Sequence, residues 1–246
     1  MDVGPRVVGA PGCAVSSAIV VVCEAGFDFK IARTLCDRIA QECGRSLHWP
    51  MPMPQDEYIR WGSVPKLMTR LRIKATYGHF KGSPGQADAK AGRNALQIVR
   101  ALAKADLKVE LVVLQRDADN QPERALGLRQ AAEAVPAHFA VVVGVADPMV
   151  EAWVLAGFDP ATPAEHERLK VERVKLGFDP RRDAARLQSK DVHAARSAKR
   201  VLSTLTDGDH GRQSACVEST PLTRLRERGA DSGLKDFLAS LERALM

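Results

Sequence analysis

The stretch Ser17–Glu24, which reads SAIVVVCE, decides the fold of this chain. Its apolar, β-branched run is typical of a strand that is buried on both faces of a parallel sheet. Gly26 follows as a turn residue, and apolar residues at helical spacing then predict a helix over Asp28–Cys43, with Asp28 as its N-cap. The first unit of the chain is therefore a strand, a short turn and a helix.

Two more buried strands are predicted downstream, over Val109–Leu114 (VELVVL) and Phe139–Val145 (FAVVVGV). A helix is predicted over Gln86–Lys104, before the second strand, and another runs from Pro122 to about Ala134, before the third. This alternation of strands and helices predicts an α/β fold with an open, mostly parallel sheet and helices on both faces.

The other segments indicate how the chain is organised. We expect a disordered leader over residues 1–16, an α/β domain over 17–158 with an insertion at 45–85, and a basic helical extension over 159–246 that packs on the domain. The prolines of Trp49–Pro54 (WPMPMP) exclude regular structure there. A short basic helix is predicted over 63–74 and a loop over 78–85. In the extension, helices are predicted over 164–176, 191–205, 221–228 and 234–245, and a polar loop over 207–216.

The composition favours a globular protein, because 45% of the residues are hydrophobic and 27% are charged. The longest apolar run, Ala18–Cys23, is far shorter than the roughly 20 residues that cross a membrane. No signal-peptide pattern precedes it, so we expect a cytoplasmic protein without a membrane segment. The five cysteines form no CxxC motif, which argues against a disulfide framework and a zinc site.

Basic residues are concentrated in two segments. Residues 167–200 hold eleven Lys or Arg against five acids, and this excess equals the net charge of +6 of the whole chain. The second segment, Arg60–Lys81, holds six basic residues and no acid. Basic segments beside an acidic cluster suit a polyanion that is bound through a metal ion. Two solvated helix faces explain the charge equally well.

Acidic residues follow all three predicted strands. Glu24 ends the first strand, Asp117 and Asp119 follow the second, and Asp147 and Glu151 follow the third. Since the carboxyl ends of parallel strands meet at one edge of a sheet, these carboxylates are expected to converge and to repel one another unless a cation lies between them. Oxygen ligands of this kind suit Mg²⁺, or Mn²⁺ in its place, and a Mg²⁺ site suits phosphodiester chemistry. Each acid alone is equally typical of a polar turn or a helix cap.

Several motifs resemble a known family. Glu24-Ala-Gly-Phe-Asp28 after a buried strand and Asp117-Ala-Asp119 after VELVVL are similar to the Toprim signature, and the spacing of Glu24 and Asp28 resembles the acidic pair of OLD-family nucleases. The stretch from Val145 to Leu155 (VADPMVEAWVL) resembles small stand-alone Toprim-like proteins of bacterial anti-phage loci, which are often encoded beside an ABC- or SMC-type ATPase.

The resemblance implies a sheet of Toprim type and a role for each acid. Glu24 would be a metal ligand or general base, Asp117 and Asp119 would be metal ligands, and Asp28 and Glu151 would help to hold a second metal. All five therefore belong to the expected metal site, and Glu24, Asp117 and Asp119 to the expected catalytic set.

The resemblance also implies a basic group near the scissile phosphate. Lys199 is the candidate, with Arg200 and Lys190 as alternatives. It would complete the catalytic set beside the acids.

The first functional hypothesis is a Mg²⁺- or Mn²⁺-dependent nuclease of DNA or RNA that belongs to an anti-phage system and works with an ABC- or SMC-type ATPase. The second is a binding or regulatory subunit of such a complex that does not cleave. A topoisomerase or primase module is a third, but the only tyrosines, Tyr58 and Tyr77, fall in the insertion. The chain lacks a P-loop motif, so it is not expected to bind ATP itself. A homo-oligomer is compatible with each hypothesis.

Overall fold

The computed structural model describes residues 17–52, 56–75, 78–80, 82–104 and 107–246. The predicted leader over residues 1–16 lies outside the described residues, as do residues 53–55 of the proline-rich stretch. The strands are β1 (Ser17–Cys23), β2 (Leu47–His48), β3 (Ile59–Arg60), β4 (His79–Phe80), β5 (Ser83–Pro84), β6 (Val109–Asp117) and β7 (Ala140–Ala146).

The α-helices alternate with these strands and then continue alone to the end of the chain. They are α1 (Gly26–Glu42), α2 (Val64–Arg70), α3 (Ala89–Lys104), α4 (Glu123–Ala134), α5 (Val150–Ala156), α6 (Pro163–Leu176), α7 (Ala198–Thr206), α8 (His210–Ser219), α9 (Leu222–Arg228) and α10 (Leu234–Leu245).

The main sheet has five strands, and all of its pairings are parallel. β6 lies between β1 and β7, while the other side of β1 is flanked by β2 at its start and by β3 at its end. The prediction of an α/β fold with a mostly parallel sheet is therefore confirmed. The carboxyl ends of β1, β6 and β7 meet at one edge, which is where open α/β sheets bind their ligands.

Alternate residues of the central strands supply a hydrophobic core on each face of the sheet. On one face, Val21 and Val113 belong to a core with residues of α1, α5 and α10, and on the other, Val22 and Val112 belong to a core with residues of α2, α3 and α4. Each fully buried Val contributes about 1.5–3 kcal/mol through its removal from water. Because α10 closes the first core, residues 159–246 help to build the sheet's own core.

The predicted insertion over residues 45–85 takes part in the sheet. Its strands β2 and β3 pair with β1, although their two-residue length left no periodic pattern in the sequence. The Nε1–H of Trp61 donates a hydrogen bond of 2.7 Å to the carbonyl of Gln115 in β6. The basic helix predicted over 63–74 is the shorter α2, and the predicted loop over 78–85 contains the antiparallel hairpin of β4 and β5.

Two predictions for the C-terminal region were wrong. Residues 207–216, predicted as a polar loop, contain most of α8, which begins where the Asp209 side chain accepts hydrogen bonds from the N–H groups of Gly211 and Arg212. The helix predicted over 191–205 begins only at Ala198, because Ser197 is its N-cap. The polar composition of residues 207–216 gave no sign of α8 in the sequence. The N-cap at Ser197 makes α7 shorter than the helix that was predicted.

Gly127 lets α4 pack closely against the segment before α3. A Cβ at this position would lie 1.8 Å from the carbonyl oxygen of Ala87, whereas a Cβ at Gly62 would meet no atom within 4 Å. We expect Gly127→Ala to lower the free energy of unfolding by about 1–3 kcal/mol, through backbone overpacking. Gly62→Ala is the matched control, and thermal unfolding of both variants measures the difference. Equal melting temperatures for the two variants would contradict the packing described here.

Candidate metal centre

Three neighbouring parallel strands deliver acidic residues to one edge of the sheet. Glu24 directly follows β1, Asp117 is the last residue of β6, and Glu151 lies in the first turn of α5, which begins shortly after β7. Asp28 joins them from the first turn of α1. Each carboxylate reaches this edge because a buried strand ends there and the chain turns into a helix.

The side chain of Asp28 is buried at the start of α1. The sequence predicted it as the N-cap, which was wrong, because α1 begins at Gly26 and its N-cap is Ala25. The Asp28 carboxylate lies in the first turn and accepts a hydrogen bond of 3.0 Å from the N–H of Ala25. Burial raises the pKa of Asp28 above its ordinary value, and the charge of Glu24 raises it further.

Asp117 links the end of β6 to the start of α5, because its Oδ1 accepts a hydrogen bond of 2.9 Å from the N–H of Val150. Its pKa is raised from 3.8 to about 8, first by burial and then by the charges of Asp28, Glu151 and Glu24. Like charges act on a pKa in this way only over short distances. The four carboxylates therefore form one electrostatic unit, which we call the acidic cluster (Glu24, Asp28, Asp117 and Glu151).

Glu151 carries a buried oxygen that lacks a partner. Its side chain is 13% exposed, and Oε1 lies 4.0 Å from the Nζ of Lys199. Among the described residues, Oε2 has no hydrogen-bond donor. Burial raises the pKa of Glu151, and Lys199 partly offsets that effect. An unpaired buried carboxylate oxygen is costly, and a cation ligand would remove that cost.

Within the described ranges, no three His, Cys, Asp or Glu side chains are grouped closely enough to enclose a metal ion as they stand. The acidic cluster nevertheless fits a divalent cation chemically, because it offers only oxygen donors and includes the orphaned Oε2 of Glu151. A cation between these side chains would offset the repulsion that adds to the effect of burial on the pKa of Asp117. The metal site remains a prediction, and the oxygen atoms of the acidic cluster are suitable ligands for it.

Asp119 lies beside the acidic cluster and has basic partners of its own. Arg124 donates a hydrogen bond of 2.9 Å to its Oδ2 and a second of 2.7 Å to the carbonyl of Asp117. The Nζ of Lys190 lies 3.5 Å from the Oδ1 of Asp119. Asp119 and Asn120 both have positive φ angles, of 52° and 62°, in the left-handed region that non-glycine residues rarely adopt. Arg124 thus fixes a strained turn directly after β6.

Two further residues of the site, Arg116 and Asp88, were not predicted from the sequence. The Nη1 of Arg116 lies 3.4 Å from the Oε1 of Glu24, and its Nε donates to Asp88 at 3.0 Å. Asp88 also pairs with the Nε of Arg124 at 3.3 Å and has a φ of 64°. The only signal in the sequence was the position of Arg116 directly before Asp117. Asp88 gave none, because it comes to the site from the segment before α3.

The three basic candidates have different surroundings. Lys199, in the first turn of α7, lies next to Glu151, and Lys190 lies next to Asp119. Arg200 instead donates two hydrogen bonds to Glu172 of α6, at 2.8 and 2.6 Å. Lys199 and Lys190 are therefore available at the site, while Arg200 anchors α7 to α6.

Asp147, which the sequence grouped with the other acids, lines a separate groove at the outer edge of β7 with Asp231 and Asp236. Burial raises its pKa. Its N–H donates to the carbonyl of Ser232 at 3.0 Å, so this residue belongs to the contact between β7 and the loop before α10.

Comparison with known proteins gives no relative: no family model, no curated protein and no solved structure matches the chain. None of the described helices is long and apolar enough to cross a membrane.

Asp117→Asn is expected to stabilise the metal-free protein at alkaline pH. Because the folded pKa of about 8 exceeds the ordinary value of 3.8, the folded state holds a proton that the unfolded state releases, so stability is lost as the pH rises between these values. Asn keeps an oxygen for the N–H of Val150 and carries no charge. We expect a gain of about 1 kcal/mol or more above about pH 8, roughly 2–4 °C in melting temperature, that shrinks toward pH 4.

The measurement is thermal unfolding in a metal chelator across this pH range. Asp231→Asn changes an exposed acid outside the acidic cluster and is the matched control. A melting temperature of Asp117→Asn that stays equal to the wild type at every pH would contradict a raised pKa at Asp117.

Proposed function

We propose that this chain is a divalent-metal-dependent nuclease, with the acidic cluster as its metal site and Mg²⁺ or Mn²⁺ as its cofactor. The observation that carries the proposal is the meeting of Glu24, Asp28, Asp117 and Glu151 at the carboxyl edge of the sheet, where burial first, and then the charges of the other three acids, raise the pKa of Asp117 to about 8. Four carboxylates in this arrangement favour a further countercharge, beyond the ion pairs of Glu24 with Arg116 and of Glu151 with Lys199.

A bound divalent cation would supply the charge that polarises a phosphate and acidifies a water molecule. Asp117 and Glu151 would hold it, because no described basic side chain pairs with Asp117 and the buried Oε2 of Glu151 has no hydrogen-bond donor among the described residues. Glu24 is more exposed, with 38% of its side chain open to solvent, and would serve as a ligand or as the base that takes a proton from water. Lys199, beside Glu151, would hold a phosphate oxygen of the substrate.

Arg116 and Lys190 would extend this phosphate contact along the rim of the site. Both carry charges that now pair with carboxylates, Arg116 with Glu24 and Lys190 with Asp119. A cation that draws these carboxylates inward would free the guanidinium and the ammonium group for a polyanionic backbone. Asp119 would act through the turn that Arg124 holds, or as an additional ligand after that pair opens.

A second candidate function is a non-cleaving binding subunit. The ion pairs of Glu24 with Arg116 and of Asp119 with Arg124 favour it, since they already neutralise two of the predicted ligands. In this case basic residues would hold nucleic acid or a partner without a metal. The ATPase partner and the anti-phage role, which the Toprim resemblance implies, apply to both candidates and are part of the proposal.

The nuclease proposal predicts that Asp117→Asn and Glu151→Gln each reduce cleavage by about 10³-fold or more, because both substitutions remove a ligand charge. The substrates are plasmid DNA and single-stranded RNA, incubated with Mg²⁺ or Mn²⁺ and compared with a chelator. Calorimetric titration with Mn²⁺ measures metal binding separately, and Asp231→Asn is the control for both assays.

Each outcome separates the candidates. Metal binding with cleavage that both substitutions abolish supports the nuclease. Metal-independent nucleic-acid binding without cleavage, with or without an ABC- or SMC-type ATPase, supports the binding subunit. Cleavage that persists in both Asp117→Asn and Glu151→Gln would contradict the proposed metal centre.

Arg116→Gln is expected to tighten Mn²⁺ binding while it weakens nucleic-acid binding. The guanidinium of Arg116 lies 3.4 Å from Glu24 and competes with a cation for that carboxylate, so its removal should strengthen metal binding roughly fivefold, or about 1 kcal/mol. The same change removes a phosphate contact and lowers affinity for a labelled oligonucleotide in Ca²⁺. Arg100→Gln, an exposed change on α3, is the control, and a parallel loss of both affinities would contradict the competition.

A further inference from the structure

β7 is the long edge strand of the main sheet. Within the described ranges it pairs with β6 alone, in a regular register over all seven residues. Its sequence, AVVVGVA, contains no charge and no proline. Proteins usually protect an edge strand with charges, proline, a bulge or very short length. The opposite edge follows this rule, because β2 and β3 have two residues each, whereas β7 has none of these features and is covered by a loop only near its C-terminal end.

The outward hydrogen-bonding groups of β7 can be assigned from its last residues. The carbonyl of Ala146 accepts a hydrogen bond of 2.8 Å from Ala118, next to β6, whereas the N–H of Asp147 points outward to Ser232. Since this direction alternates along a strand, the N–H and C=O groups of Val141 and Val143 also point outward. They make no hydrogen bond there with any residue that the structure describes.

The open part of this edge ends near Val145. At that point the chain before α10 covers the strand so closely that a Cβ on Gly233 would lie 2.3 Å from the Val145 carbonyl oxygen. Before that point, Val141, Val142 and Val143 form the floor of a groove. Arg129 of α4 and Asp236 of α10 are among the residues that line it.

We propose that a second copy of this chain occupies the groove, with its β7 antiparallel to the first around a two-fold axis at Val142. This register pairs Val141 of each copy with Val143 of the other, so the four outward N–H and C=O groups of each copy find partners. It also sets Ala140 opposite Gly144. Cross-strand pairs of β-branched side chains stabilise a sheet, and the small residues leave room at the ends of the pairing.

The charges of α10 select a second copy over an unrelated strand. Asp236 lines the groove on both sides of Val143, whereas Arg243 lines only the part beside residues 141–143. Gly233, directly before α10, lies against the Val145 carbonyl, so α10 runs opposite to β7. A two-fold axis at Val142 therefore brings Asp236 of each copy to Arg243 of the other. Both side chains are exposed in the single chain, and the dimer gives each an opposite charge.

The dimer has a consequence for the position of the acidic clusters. An antiparallel β7 pair joins the two sheets into one continuous sheet whose halves point in opposite directions. The two acidic clusters then lie at opposite edges of the dimer, and neither is covered by the interface. The proposal is therefore independent of the proposed nuclease activity.

Sedimentation velocity of the full chain over a concentration series tests the proposal. The wild type should sediment as a species of twice the 26.8 kDa chain mass. Asp236→Arg and Arg243→Asp each place like charges together across the axis, so each should raise the dimer dissociation constant roughly tenfold or more. The double variant, D236R with R243D, restores opposite charges and should restore the dimer. Lys235→Glu, an exposed change on α10 outside the groove, should leave it unchanged.

The rescue by the double variant distinguishes this two-fold arrangement from any other. A wild-type monomer at concentrations of about 100 µM would overturn the proposal, because a functional interface of this kind binds more tightly. A dimer that ignores the single substitutions, or one that the double variant fails to restore, would overturn it as well. Circular dichroism of all variants confirms that α10 is intact.

Discussion

The hydrogen bond from the Val150 N–H to Asp117 is the contact on which the edge of the sheet depends. It fixes the end of β6 to the start of α5, directly below the acidic cluster. The bond holds a carboxylate whose pKa is raised to about 8, first by burial and then by the charges of three other acids. Such a site lowers the stability of the metal-free protein once the pH is high enough to ionise the carboxylate. The acids lie together because the parallel strands end at the same edge of the sheet. The destabilising repulsion between them is confined to that edge.

The basic residues around the cluster limit that cost. Arg116 and Arg124 meet at Asp88, and from there they reach Glu24 on one side and Asp119 on the other. Asp88 and Asp119 both hold left-handed backbone conformations. Strain of this kind persists only where surrounding contacts determine the geometry, and it is common at functional sites. The alternating charges make the rim rigid without a ligand, yet each pair can open if a stronger partner arrives.

The sequence was informative about the acids because strand ends can be located from hydrophobic runs. Glu24, Asp117 and Glu151 follow such runs, so their approach was predictable from the topology of a parallel sheet. The position of Asp88 was not, since it enters from a segment without a periodic pattern, and Lys190 could be named only as an alternative to Lys199. Arg200 could be weighed against Lys199 only in three dimensions, where its contacts with Glu172 remove it from the site. Contacts between distant segments are set by packing, and a single sequence does not record them.

The C-terminal helices complete the site as well as the core. Trp153 of α5 is fully buried, stacks on Phe237 of α10 at 4.9 Å and donates a hydrogen bond of 2.8 Å to Ser232. This contact holds α5, and with it Glu151, against the sheet. The bidentate pair of Arg200 with Glu172 orients α7 so that Lys199 reaches Glu151. A chain that ended at the predicted domain boundary of residue 158 would keep its four acids but lose both the support and the nearest cation of Glu151. The sheet and the helices that follow it are therefore one structural unit around the acidic cluster.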